Sequence, residues 1–285
     1  MDRRTRPGKP RRAGGDFGAG LEVREPSQEE VASLAGWPDG TLPPEWLAWA
    51  DEPHRVLVAA EGAQLVGAVH VAVVGRTEGW LEGLRVVEEG RRQEAEDRLV
   101  AAALEVLHGY GVGAVRTACP VGPTPQWVAR AGFVEVARFV VRLAPEDLAP
   151  GGSGRPAGAA EVAPAAERLA RALRERDAGL VPLGWRWRAF GTEMARAAAR
   201  EGRLLVDPAG GAALALRRGP DRLVAALAAD EPAGLLATVR SEVGGGGRLA
   251  CFLPQGCPEV LAVAAWPAHP WCPEGVVVYE FSGRR

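Results

Sequence analysis

Cysteine, lysine and long apolar runs are all scarce in this chain of 285 residues. Its four cysteines, Cys119, Cys251, Cys257 and Cys272, are too few for a disulfide framework at this length. No CxxC pair provides the usual spacing of a metal site. The longest apolar runs, such as 65–74, are interrupted by Gly67 and His70 and stop far short of a membrane span. The basic N-terminus has no apolar stretch behind it, so no secretory signal is expected and the expected compartment is the cytoplasm. Neither sign of charge is in excess. The 34 basic and 36 acidic side chains leave a net charge of −2, which excludes bulk electrostatics as the main route to nucleic acid or an anionic membrane. Only Lys9 among the basic residues is lysine, a bias that accompanies abundant Ala, Gly and Pro and carries no functional signal. What is present is a globular composition, 47% hydrophobic and 25% charged, in a chain long enough for two domains with buried cores.

Two breaks organise the chain. Residues 1–20 set arginines and Lys9 among Pro and Gly without apolar periodicity, which reads as a disordered, solvated basic arm. No aromatic residue is interleaved with those charges, so a nucleic-acid arm is not expected. Residues 149–160 (APGGSGRPAGAA) read as a flexible linker. The expected domains are therefore 21–148 and 161–285.

The first domain alternates strand and helix signals. Residues 21–25 suggest a strand, and Ser27 with Glu30 forms a capping box that opens a helix. Pro44 starts a short helix through Trp46 and Trp49. Residues 55–60 and 64–74 form a hairpin around Glu61-Gly62, and 80–87 a further strand. From 94 to 110, Leu99, Ala103, Val106 and Tyr110 recur at helical spacing, with Gly111 and Gly113 as stops. A strand at 112–118, a short helix at 125–130 and a strand at 133–143 complete the order. The second domain repeats it. Residues 203–218 echo the hairpin, 221–228 the fourth strand, 234–243 the long helix, and 248–264 the strand, proline turn and helix of 114–130. Tryptophans precede each hairpin: Trp37, Trp46 and Trp49 in one half, Trp185 and Trp187 in the other. A period of half the chain points to duplication of a whole domain rather than a solenoid.

The chemistry-bearing stretch is LRVVEEGRRQEAEDRLVAAALEVL (84–107), followed by RAGFVEVARF (130–139). It resembles the GNAT family of acetyl-CoA-dependent N-acyltransferases, in which a strand ending L-x-V leads through R-R-Q-G-x-G into a long helix. Leu84, Val86, Arg91, Arg92 and Gln93 fall in that register, Leu99 holds the later apolar position, and Gly132-Phe133 matches the G-F pair of the last strand. The resemblance covers 21–143 and, through the repeat, 160–282. It implies an α/β (α+β) fold of two tandem domains, each a mixed, mostly antiparallel sheet flanked by helices, packed as an internal pseudo-dimer. It implies acetyl-CoA as cofactor, with the backbone of Leu84 and Val86 on the pantetheine arm. Arg91, Arg92, Gln93, Glu94, Ala95 and Glu96 would face the pyrophosphate at a helix N-terminus. The acceptor would be a small-molecule or peptide amine, and the protein a monomer or a homodimer.

Three departures bear on activity. Glu94 and Glu96 replace the two glycines, with Asp97 beside them, so carboxylates stand where phosphates should. The same acids also stabilise the first helical turn on their own account. The tyrosine that often protonates the leaving thiolate is Val128 here, and the asparagine often found before that helix is Val121. The second copy, DEPAGL, is shorter, with no arginine, and cannot build a phosphate loop. Glu82 lies where the family often places a general base, with a solvent-facing or hydrogen-bonded strand glutamate as the plain alternative. His54, His70, His108 and His269 are dispersed, and His70 reads as a structural histidine. Two readings follow: an N-acyltransferase with its cofactor site in the first domain, or an inactive descendant acting as a binding or scaffold module.

Deleting residues 1–18 is expected to leave the thermal unfolding midpoint nearly unchanged, because the arm carries no apolar residues at core spacing. A drop of several degrees would show that it packs or mediates assembly.

Overall fold

Alternating apolar strands and tight turns place most of the chain in one sheet. The computed structural model describes residues 20–34, 54–75, 77–87, 91–175 and 179–283. The arm at 1–19 and the segment with Trp37, Trp46 and Trp49 lie outside the described residues.

The first half runs β1 (Leu21–Arg24), α1 (Gln28–Leu34), β2 (His54–Glu61), β3 (Gln64–Val73), β4 (Glu78–Val86), α2 (Arg92–Gly109), β5 (Ala114–Pro120), α3 (Gln126–Arg130) and β6 (Val134–Leu143). The second runs β7 (Arg155–Pro156), α4 (Val162–Arg174), β8 (Leu180–Pro182), β9 (Trp187–Ala189), α5 (Thr192–Arg200), β10 (Leu204–Val206), β11 (Ala212–Arg218), β12 (Asp221–Ala228), α6 (Ala233–Ser241), β13 (Leu249–Pro254), α7 (Glu259–Ala262) and β14 (Val276–Phe281). Local chemistry explains several of these boundaries. The α1 capping box forms as expected, with Ser27 N donating to Glu30 Oε2 at 2.7 Å and Glu30 N to Ser27 Oγ at 3.2 Å. In α2 the buried positions are Ala95, Leu99, Val100, Ala103 and Leu107. Tyr110 falls beyond the helix and is exposed, because the buried face turns through Leu107 rather than Val106. Gly79 lets α2 lie flat on β4, since a Cβ there would meet Leu107 and Val112 side-chain atoms at 2.9–3.1 Å.

The strand order is β1-β2-β3-β4-β5-β14-β6-β13-β12-β11-β10-β7. Read inward from each edge, the halves match: β1 to β5 correspond to β7, β10, β11, β12 and β13. In both, the fourth and fifth strands are parallel and the rest antiparallel. The last strands are exchanged. β14, from the second half, pairs with β5, while β6, from the first, pairs with β13, and the two meet each other at the centre. The sequence repeat carries no sign of this exchange.

Helix α2 covers one face of the first half, packing Leu99 and Leu107 on Leu57, Val69, Val71 and Leu81. Strand alternation turns Trp80 to the other face. There the β8–β9 hairpin of the second half covers it, with Trp187 stacked on Trp80 at 5.9 Å and touching Phe139 and Phe252. The glycine-rich stretch read from sequence as a linker lies against α6. Gly154 N donates to Thr238 Oγ1 at 3.0 Å, and Arg155–Pro156 joins the sheet as β7. Among the described residues no helix is long and apolar enough to cross a membrane.

Because each half completes the other's sheet, urea unfolding followed by fluorescence and by circular dichroism is expected to give one coincident transition. Residues 1–148 expressed alone should fail to fold, and co-expression with 149–285 should restore the sheet. A fragment 1–148 that folds by itself would show that β14 is dispensable.

Candidate functional site

The first half opens where β4 and β5 part. They pair only over 78–80 and 114–116, after which β5 continues on β14 and residues 81–86 keep one strand edge free of β5. A β-bulge marks the parting. Ala68 faces Arg85 and His70 faces Glu82, so Gly83 and Leu84 together oppose Val69, and Gly83 adopts φ +60°, a conformation open chiefly to glycine. The side chains of Leu84 and Val86 pack toward the α2 core, and their backbone groups lie along the strand that β5 has left. The strand then leads through Arg91 to the first turn of α2, whose leading N–H groups have no partner inside the helix.

The residues around that turn are largely matched to each other. Arg91 lies 3.4 Å from Glu61, Arg92 begins the helix, and Gln93 is exposed. Glu94 pairs with Arg98 at 2.7 Å, and Arg98 also donates to the Leu21 carbonyl. Ala95 is fully buried beneath them and offers the site only its backbone. Arg130, at the end of α3, forks onto Glu96 and Asp97 at 2.8 Å each. Glu94 and Glu96 are thus drawn onto the chain's own arginines. The spacing of Glu94 and Arg98 could have been read from sequence as an i,i+4 pair. The distant partner of Glu96 had no local signal.

Glu82 is neither solvent-facing nor alone. It accepts a hydrogen bond from Arg186 Nη2 at 2.7 Å and one from His70 Nδ1 at 2.8 Å. His70 is fully buried and Arg186 is 3% exposed. Since an ionised carboxylate only accepts, Nδ1 of His70 carries the proton, and its Nε2 faces His54 Nδ1 at 3.4 Å. Arg186 sits between β8 and β9, so the second half reaches across to the first at this point. Burial raises the Glu82 pKa, but hydrogen bonds from His70 and Arg186 and the Arg186 charge outweigh it, so the group lies below the ordinary carboxylate value. Burial, then the neighbouring His70, Arg186 and Arg55, holds His54 below its usual value. The histidines are dispersed along the chain, but the β2–β3 register, with Val56 opposite His70, brings two of them together.

Val128 is fully buried, and Val121 N donates to the Gly275 carbonyl at 2.9 Å. Tyr279, on the exchanged strand β14, packs in the same cluster as Val128 and hydrogen-bonds Thr124 at 3.1 Å. In the second half the corresponding parallel pair spans 222–224 and 249–251. The 6% exposed Glu259 places a carboxylate 3.4 Å from Ala229 N, where β12 runs out.

Replacing Arg186 with Ala leaves a buried carboxylate without its cation and is expected to cost about 3–5 kcal/mol by urea titration. Glu82 titrates below its unfolded value, so its contribution is complete at neutral pH and is lost as pH falls through the lowered value. The gap between the two proteins should therefore narrow in acid; a pH-independent gap would mean that Arg186 acts through packing alone.

No protein-family model matches the chain, and no curated protein matches it. Among solved structures, a GCN5-related N-acetyltransferase from Sphaerobacter thermophilus is similar over 93% of this chain and 96% of its own, with TM-score 0.59 and 14% identity. A candidate acetyltransferase from Pyrococcus horikoshii is similar over 96% and 94%, with TM-score 0.52 and 14% identity. A tandem GNAT protein from the clavulanic acid biosynthesis pathway aligns over 93% and 99%, with TM-score 0.49 and 16% identity. The first two likenesses run nearly end to end in both partners while sharing little sequence, and the strand order of this chain occurs twice. The chain therefore has the GNAT fold in tandem form.

Proposed function

We propose that the protein is an acetyl-CoA-dependent N-acyltransferase that acetylates a primary amine, with its cofactor site in the first half. The observation that carries this reading is the open edge of β4 beyond the Gly83 bulge, leading directly to the start of α2. The fit is good along the strand, where the backbone of Leu84 and Val86 suits an amide-bearing pantetheine arm. At the helix start, the N–H groups around Gln93, Glu94 and Ala95, with Arg91 and Arg92, suit a pyrophosphate because Glu94 and Glu96 are held on Arg98 and Arg130. Bound there, acetyl-CoA supplies the activated acetyl thioester.

The amine must lose its proton to react. Glu82, kept ionised by Arg186, is a weak base itself and acts by holding the His70 tautomer. His54, neutral at physiological pH, takes the proton at the outer end of this chain. Tyr279 provides a phenol near the place of the missing family tyrosine.

The second reading, a GNAT-fold binding or scaffold protein that has lost its CoA pyrophosphate loop, draws support from the second half. There the connection 229–232 has no arginine and Glu259 fills the strand end.

Calorimetric titration with acetyl-CoA separates the two. The unmodified protein is expected to bind weakly and saturably. Replacing Glu94 and Glu96 with glycine frees Arg98 and Arg130 beside the phosphates and should tighten binding, at a helix cost of about 1 kcal/mol per glycine. The gain should shrink at high salt and vanish on removal of Arg91 and Arg92. No binding by either folded protein would establish the scaffold reading instead.

A further inference from the structure

A second cleft, of about 1010 Å³, opens in the second half, and nothing in the acyl-transfer reading uses it. It lies at the starts of β12 and β13, near Leu223 and Ala250, and at the end of β11. The cofactor cleft of the first half lies at the opposite ends of the equivalent strands, so this is not the family's cofactor position repeated. Its floor is apolar: Leu216, Leu223 and Phe252. Trp185, in the turn between β8 and β9, forms one wall with His269.

The corresponding surface of the first half is closed and balanced in charge. Trp187 covers Trp80 there, and Arg116 is held between Glu78 and Glu280. In the second half five arginines line the cleft against two carboxylates, Glu201 and Asp221. Both acids are already engaged. Glu201 pairs with Arg203, and Asp221 accepts from the Arg248 backbone N at 2.7 Å. The Arg248 guanidinium is left with no ion pair and no hydrogen bond among the described residues. Glu242, behind the cleft wall, takes Arg217 at 3.5 Å and Arg222 at 3.7 Å, so three carboxylates in all stand against the five arginines and Arg248 is the one left over for a ligand. An excess of guanidinium over an aromatic floor, in a concave site, selects an anion on a flat apolar body.

We propose that this cleft binds an organic anion, an aromatic or apolar body bearing a carboxylate or a phosphate, with Arg248 as its principal charge partner. Both groups present the planar or pyramidal oxygens that a guanidinium fork grips, and the apolar body lies on Phe252 and Leu223 beside Trp185.

The test titrates the full chain with phenyl phosphate and with benzoate, followed by calorimetry and tryptophan fluorescence, with benzyl alcohol as neutral control. One saturable site is expected for at least one anion, weakening with salt, and the tighter of the two identifies the preferred group. Arg248→Ala should lower affinity by about tenfold or more, the loss of one charge-assisted hydrogen bond. Arg248 is exposed, so the variant should fold, which circular dichroism checks. A second variant, Trp185→Ala, should weaken binding and remove most of the fluorescence response. The proposal is overturned if neither anion saturates, if benzyl alcohol binds equally well, or if folded Arg248→Ala binds unchanged. Displacement by acetyl-CoA would also overturn it, by placing the anion in the first-half cleft.

Discussion

The pairing of β14 with β6 holds this molecule together. Each is the last strand of its own half, and each is the neighbour its partner's fifth strand requires. Val276 and Val278 lie opposite Phe139 and Ala137, within one buried cluster that also contains Val141, Trp80 and Trp187. The hydrogen-bond ladder and the apolar face cross the midline at the same place, so neither half can be withdrawn without exposing both. This accounts for a second half whose connection after β12 is short and without arginine yet which remains integral to the first. It contributes β14 to the sheet and Arg186 to the buried carboxylate of Glu82.

Arginine does much of the electrostatic work here. At the start of α2, Arg98 and Arg130 take up Glu94 and Glu96. At Glu82 a single guanidinium and a histidine fix the charge state of a group that burial alone would neutralise. Around Arg248 the balance tips the other way, with cations outnumbering available acids. The same residue type therefore neutralises acids at a helix start, sets the charge of a buried carboxylate and stands in excess along a cleft.

Local order was legible from sequence because its signals are local. The Ser27–Glu30 box, the Glu61-Gly62 turn and the repeated strand–turn–helix each rest on residues within a few positions of one another. The register of α2 was read imperfectly, since Val106 and Leu107 are both apolar and only packing decides which faces inward. What escaped was everything carried between distant segments. Arg130 on Glu96, Arg186 on Glu82 and β14 beside β5 join residues far apart in the chain, and no periodicity records them. Gly152 and Gly154 looked like slack chain by composition, whereas their lack of side chains lets the backbone pass close to α6.

The position of β14 also sets a timetable. It follows every other strand in the chain, yet its place is in the middle of the sheet. During synthesis β5 and β6 leave the ribosome well before it, carrying unpaired edges and an apolar face. For that interval the nascent first half is an open sheet, the state most prone to pair with a neighbouring chain. Its closure waits for β14, whatever the order in which the strands before it form.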